Sequence, residues 1–112
     1  MKIDFHAHSF PREYFLKLKE YYPDEVALRE DPKAGLIAFW AGTPLPVWDH
    51  GRRVDEMTKY GVEIEILSTP SMYIRVDEHS PELCRIVNDA FASACRQSSD
   101  RFKAFANIPF NS

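Results

Sequence analysis

Two histidines near the start of the chain, His6 and His8, are separated by one residue and follow an aspartate, Asp4. The stretch around them favours a strand. Alternate residues of a strand point to the same side, so we expect the three side chains to share one face. Two neutral imidazoles on one face can bind a metal ion such as zinc, at about 2.0 to 2.1 Å. The pair alone leaves two interpretations open: a metal site, or two surface or hydrogen-bonded histidines.

The strands that would position this pair can be located from β-prone and alternating residues. The clearest has Val62, Ile64 and Ile66 alternating with glutamates. Strands are expected near residues 2–6, 62–68 and 103–108. Because helical segments separate them, we expect a parallel sheet, whose functional residues lie at the C-terminal ends of the strands.

Three segments carry apolar residues at helical spacing. Asp49 and Gly61 are suited to cap the second segment, and Ser80 with Pro81 is suited to open the third. The predicted helices span residues 11–22, 50–60 and 81–97. Between the first two lies a predicted insertion, about residues 23–48, with a polar first part and a small hairpin in LIAFWAGTPLPVW.

Composition excludes several functional classes. The chain has 112 residues, enough for one domain, and its net charge of -3 gives no basis for binding nucleic acid or an anionic membrane surface. No apolar run is long enough to span a bilayer, and MKIDFHAH has no apolar signal-peptide core. Cys84 and Cys95 lie in one predicted helix, too far apart for a disulfide. We therefore expect reduced thiols and a cytoplasmic location.

The opening KIDFHAHSFP resembles the D-x-H-x-H start of the amidohydrolase superfamily. It is most similar to the amidohydrolase-2 group, which contains aminocarboxymuconate-semialdehyde decarboxylase and related hydrolases and hydratases. Two later stretches agree with that group, WDHGRRVDEMTKYGVEIEILSTPS and IVNDAFASACRQSSDRFKAFANIPF. The similarity covers nearly the whole chain and is weakest at residues 23–47.

The resemblance implies an α/β fold of the (β/α)8 TIM-barrel type with a metal at the C-terminal mouth. It implies that His6 and His8 are the first two ligands of Zn2+ or another divalent transition metal. Further ligands and the catalytic histidine and aspartate of such enzymes come from later strands. A whole barrel takes about 250 residues, so residues 1–112 would be a single partial domain holding the first three β/α units. We expect a fragment, a truncated gene product or one piece of a split enzyme.

A zinc ion in such a site lowers the pKa of its water, which could attack a carbonyl or C–N bond or assist hydration. In the decarboxylases of the group, the metal and its water instead help to protonate a carbon. The implied activity is that of a metal-dependent hydrolase or carboxy-lyase acting on a small carboxylated, amide or aromatic-derived metabolite. GTPLPV, before Trp48, lacks the arginine that the muconate-semialdehyde decarboxylases use for their substrate.

Three further residues are candidates for supporting roles, each with an alternative. Asp4 could orient a histidine or lie at the barrel floor. Arg75 could bind a substrate carboxylate or be a solvated surface arginine. Trp48, with the hairpin aromatics, could cover the site or pack beneath the hairpin.

Four charged or titratable residues are expected outside the metal site. His50 and His79 are expected to be exposed. Glu63 and Glu65 should face the barrel interior, where an unpaired charge is costly and would need a partner from another strand.

Two other functions compete with this interpretation. TatD-like nucleases and PHP-type phosphoesterases also begin with an H-x-H strand, but the later matches and the lack of a basic surface favour the amidohydrolase-2 group. A non-catalytic α/β assembly module with incidental histidines is the other alternative. We expect residues 1–112 alone to be inactive, and to self-associate or bind the remainder of the barrel through an open strand edge.

Overall fold

The computed structural model describes residues 1–69 and 77–107. Within these ranges the elements follow in the order β1 (Ile3–His8), α1 (Arg12–Tyr21), β2 (Val26–Asp31), β3 (Gly35–Trp40), β4 (Thr43–Leu45), α2 (His50–Tyr60), β5 (Ile64–Ser68), α3 (Ser80–Gln97) and β6 (Phe102–Ala104).

The central sheet has the strand order β1-β5-β6, and both pairings are parallel. These are the three strands predicted from the sequence, and their parallel arrangement is confirmed. The third is shorter than predicted, and residue 108 of its predicted range lies outside the described residues. The C-terminal ends of β1 and β5 meet where His8 pairs with Ser68.

The helices begin and end close to the predicted positions. The Asp49 side chain accepts a hydrogen bond from the Arg52 backbone N–H at 3.0 Å, which caps the N-terminus of α2. Gly61 ends the same helix with φ +72°, a left-handed conformation that glycine adopts without steric cost. These local signals fix both ends of α2.

A single hydrophobic core lies between the helices and one face of the central sheet. That face contributes Ala7, Leu67 and Phe102, all at most 4% exposed. The helices contribute the apolar stripes seen in the sequence, including Tyr14, Phe15, Leu18, Met57, Leu83, Val87 and Phe91. The opposite face carries Ile64, Ile66 and Ser68, which are half-buried.

The insertion is a three-stranded antiparallel sheet, β2-β3-β4, rather than a two-stranded hairpin. β2 was not predicted, because its VALRED sequence lies in a segment dominated by charged and turn residues. Val26 is buried and Leu28 half-buried against the core, and the whole strand pairs with β3. The turn after it is held by Asp31, whose carboxylate accepts the backbone N–H groups of Lys33 and Ala34 at 2.8 Å.

None of the helices in the described ranges is both long and apolar enough to cross a membrane.

Candidate metal centre

The imidazoles of His6 and His8 meet at the C-terminal end of β1. Their ring centroids are 4.5 Å apart and the ring planes are nearly perpendicular, at 89°. His6 is exposed and His8 is half-buried. The two side chains predicted as metal ligands are therefore neighbours in space as well as in sequence.

The ring of His8 is held by the adjacent strand. Its Nδ1 lies 3.3 Å from the backbone carbonyl oxygen of Ser68 and 3.2 Å from the Ser68 hydroxyl. A carbonyl oxygen can only accept, so a hydrogen bond to it requires the tautomer with the proton on Nδ1, whereas the Ser68 hydroxyl can donate to Nδ1 or accept from it. With the proton on Nδ1, neutral His8 keeps its lone pair on Nε2, one of the two ring nitrogens through which histidine binds metals.

Asp4 does not share a face with His8, because the strict alternation assumed for β1 is interrupted. Asp4 pairs with Glu65 and Ala7 with Leu67, so three steps along β1 match two steps along β5. His8 pairs with Ser68, which is three residues from Glu65 and thus on the opposite face of β5. The Asp4 carboxylate instead accepts the His6 backbone N–H at 2.9 Å, so it braces the irregular backbone rather than a ring.

The donor set fits part of a metal site. Two imidazoles suit zinc and related divalent transition ions, but such sites need three or four protein ligands. Within residues 1–69 and 77–107 no group of three or more His, Cys, Asp or Glu side chains could hold a metal. The Ser9 and Thr69 hydroxyl oxygens, which directly follow β1 and β5, are buried and have no hydrogen-bond partner among the described residues. Buried polar atoms without a partner are uncommon in folded proteins, and a bound water, an ion or a catalytic role is among the explanations for them.

Trp48 lies on the other side of the central sheet. Its ring centroid is 5.2 Å from that of Phe102, which pairs with Glu65 on the helix-covered face. The Arg53 guanidinium lies 5.2 Å from the centroid of the Trp48 ring, on the same side. Of the two roles considered for Trp48, this position corresponds to packing and not to a cover over the histidines.

Glu65 faces the helices and not the barrel interior, which corrects the sequence-based expectation. It is 7% exposed, and its carboxylate pairs with Arg53 of α2 at 3.0 Å. Glu63, the other glutamate of the segment, is exposed. The partner that neutralises the buried charge is thus supplied by a helix of this chain.

The remaining histidines are less exposed than predicted. His50 Nε2 lies 2.9 Å from the Ser98 hydroxyl, and its ring packs 5.3 Å from that of Phe102. His79 stacks on Tyr21 with the centroids 3.8 Å apart. Neither is grouped with His6 and His8. The candidate substrate-binding Arg75 lies outside the described residues.

Two residues that contact His8 were not singled out from the sequence. In the sequence pattern, Ser68 is the last residue of a strand and Arg53 is one of several arginines in the helices. Because β1 and β5 are adjacent and parallel, Ser68 lies beside His8, so knowing the register between these two strands would have identified Ser68. No local signal pointed to Arg53.

Comparison with known proteins finds one curated relative and several solved structures of the same kind, while no protein-family model matches. The chain is 29% identical, over 118 aligned positions, to 2-amino-3-carboxymuconate-6-semialdehyde decarboxylase of Dictyostelium discoideum, covering 97% of this chain and 33% of the relative. Among solved structures it is similar to amidohydrolase II, with a TM-score of 0.71 and 28% identity over 98% of this chain and 32% of the other. A dihydroxybenzoic acid decarboxylase from Polaromonas sp. JS666, with bound manganese and 2-nitroresorcinol, has a TM-score of 0.59 and 27% identity over 96% of this chain and 30% of the other.

The chain spans about a third of the length of each of these proteins. The sequence and the fold point to the same relatives, and the parallel strands carry the predicted histidine pair at the expected end. The resemblance to the N-terminal part of an amidohydrolase TIM barrel of the amidohydrolase-2 group, related to decarboxylases, is confirmed.

Proposed function

We propose that this chain supplies the first part of a metal-dependent carboxy-lyase or hydrolase, in which His6 and His8 are two of the metal ligands. The observation that carries the proposal is the histidine pair at the end of β1, with His8 Nδ1 held by Ser68. The decarboxylase relatives support a small carboxylated metabolite as the substrate. Zinc is our expected metal, and the manganese in one related structure makes that ion the first alternative.

When bound, such a metal supplies Lewis acidity and an activated water. The residues of this chain would present two imidazole nitrogens and fix the orientation of one of them. His8 would bind through Nε2, since Nδ1 is committed to Ser68. His6 is more exposed and is anchored through its backbone N–H by Asp4, so its ring has more freedom to adjust to the ion.

Two nitrogen ligands form an incomplete site, so we propose that residues 1–112 alone bind metal weakly and catalyse no turnover. Complete sites of this kind hold the metal with three or four side chains, and the described residues offer no third ligand beside the pair. The general acid or base would likewise have to come from outside the described residues.

Isothermal titration with Zn2+ and Mn2+ tests the proposal on three proteins: wild type, the His6→Ala/His8→Ala double variant, and His79→Asn as a matched control. His79 lies near the start of α3, outside the histidine pair. We expect weak, saturable binding to wild type and to the control, and at least about tenfold weaker binding to the double variant.

Equal binding by all three proteins would place the ligands elsewhere and contradict the proposal. A parallel assay of carbon dioxide release from dihydroxybenzoate, with added metal, tests the second part. Turnover by residues 1–112 alone would show that the chain carries a complete site.

A further inference from the structure

We propose that Arg53 is a positioning residue for His8, acting through the His8 backbone and not through the metal or the substrate. This inference rests on the proposed function, because it assigns Arg53 to the same histidine site. Nothing in the sequence pattern distinguishes Arg53 from its neighbour Arg52, and the distinction comes from the contacts of its guanidinium.

The Arg53 guanidinium joins two strands of the central sheet. Its Nη1 donates to Glu65 on β5 at 3.0 Å, and its Nη2 donates to the backbone carbonyl of His8 on β1 at 3.3 Å. The side chain of Arg53 is 19% exposed and that of Glu65 is 9% exposed, so the link is largely shielded from water. The face of Trp48 lies against the guanidinium and restricts its orientation.

β5 therefore holds His8 from two directions. Ser68 contacts the imidazole directly, while Glu65 acts through Arg53 on the carbonyl of the same residue. The imidazole is attached to this backbone through two rotatable bonds, so holding the carbonyl at the end of β1 narrows the region that Nε2 can reach, and the Ser68 contact then orients the ring within it. The hydrogen bond from Arg53 to the His8 carbonyl lies just beyond the irregular pairing between Asp4 and Ala7, where regular strand pairing gives the least support.

Arginine is the residue type suited to this task. Its planar fork can donate to two acceptors in fixed directions, whereas a lysine ammonium on a flexible stem has no such preferred geometry. A lysine at this position should keep the charge next to Glu65 and lose much of the bond to the His8 carbonyl.

Arg101 offers a matched control, because it also donates to backbone carbonyls but at the opposite end of the sheet. Its guanidinium contacts the carbonyl oxygens of Glu63 at 2.9 Å and Val62 at 3.2 Å. Replacing it removes a brace of the same kind without touching the histidine end of the strands.

The test uses Arg53→Met/Glu65→Met, Arg53→Lys and Arg101→Met. The double variant removes both charges together and so leaves no unpaired buried carboxylate, which keeps the fold while removing the bond to His8. The first readout is the pair of imidazole 15N shifts of His8 in metal-free protein, which reports its tautomer and surroundings. The second is Zn2+ affinity by titration.

We expect the His8 nitrogen shifts of the double variant to move toward those of a mixed tautomer, and its Zn2+ dissociation constant to rise about tenfold. Arg53→Lys should fall between wild type and the double variant, and Arg101→Met should match wild type in both readouts. Unchanged His8 shifts and affinity in the folded double variant would overturn the inference. If His6→Ala/His8→Ala binds zinc like wild type, the proposed function fails, while the metal-free shifts still decide the role of Arg53.

Discussion

Replacing Arg53 with methionine alone is expected to lower the free energy of unfolding by about 3 kcal/mol, the lower end for breaking a buried ion pair. The reason is that the Glu65 carboxylate would stay buried without a cationic partner. Glu65 lies in the helix-covered face, 7% exposed, and Arg53 is its ion-pair partner at 3.0 Å. Urea denaturation followed by circular dichroism measures the change.

Methionine at both positions should restore most of the lost stability, because a buried pair replaced by apolar side chains of similar volume is often neutral. Lys17→Met is the control, since Lys17 pairs with Glu20 at the surface and both side chains are more than a third exposed. That variant should change stability by less than about 0.5 kcal/mol. Equal destabilisation by the single and double Arg53 variants would mean that packing, not charge pairing, dominates at this position.

The second large effect concerns the state of association of residues 1–112. β6 pairs only with β5 among the described residues, so the backbone N–H and C=O groups on its other side are open to another strand. Beside this edge Phe105 is 62% exposed, and Ile64 and Ile66 on the sheet face opposite the helices are only half-buried. We propose that the isolated chain self-associates at micromolar concentration through this edge.

Ala104→Pro and Phe105→Lys test this by light scattering. Phe105 donates its backbone N–H to the carbonyl of Leu67 in β5. Successive residues of a strand direct their N–H groups to opposite sides, so the N–H of the adjacent residue Ala104 points away from β5. Proline at position 104 therefore removes a donor from the open edge without breaking the β5–β6 ladder. The combined variant should be monomeric. Tyr60→Lys is the control, since Tyr60 is similarly exposed, at 64%, but lies at the end of α2 near the start of β1, where its backbone carbonyl accepts a hydrogen bond from Lys2 Nζ at 3.4 Å. A wild-type chain that is already monomeric, or a Tyr60→Lys variant that dissociates equally, would contradict the proposal.

The parts of the fold that follow from local chemistry were predictable. The Asp49 cap and the Gly61 terminus define α2 through contacts within four residues, and both are found as expected. The apolar stripe of α3 predicted a helix because it recurs at helical spacing from Leu83 to Cys95, and its Leu83, Val87 and Phe91 are buried. Parallel pairing of the strands followed from their alternation with helices.

Features that depend on pairing between distant segments were not predictable. β2 has only two inward apolar residues, and β3 must be present to bind it. The irregularity in β1 exists only relative to β5, so nothing in KIDFHAH reveals that Asp4 leaves the face of His8. The regular alternation of β5 does not reveal which of its two faces the helices cover, so the sequence assigned Glu65 to the wrong side of the sheet.

The candidate site shows the same division between local and distant signals. His6 and His8 were identified from their type and spacing, which a strand converts into spatial proximity. Ser68 and Arg53 act on His8 from 60 and 45 residues away along the chain, so neither could be found before the sheet was known.

The central claim is that His6 and His8 bind one metal ion. The most direct measurement is an anomalous difference map from crystals of residues 1–112 grown with Zn2+ and, separately, with Mn2+. We predict one peak within about 2.0 to 2.3 Å of a ring nitrogen of both histidines, with Nε2 as the ligand atom of His8. A peak bound by other side chains, or an empty histidine pair at a metal concentration that saturates the titration, would contradict the claim.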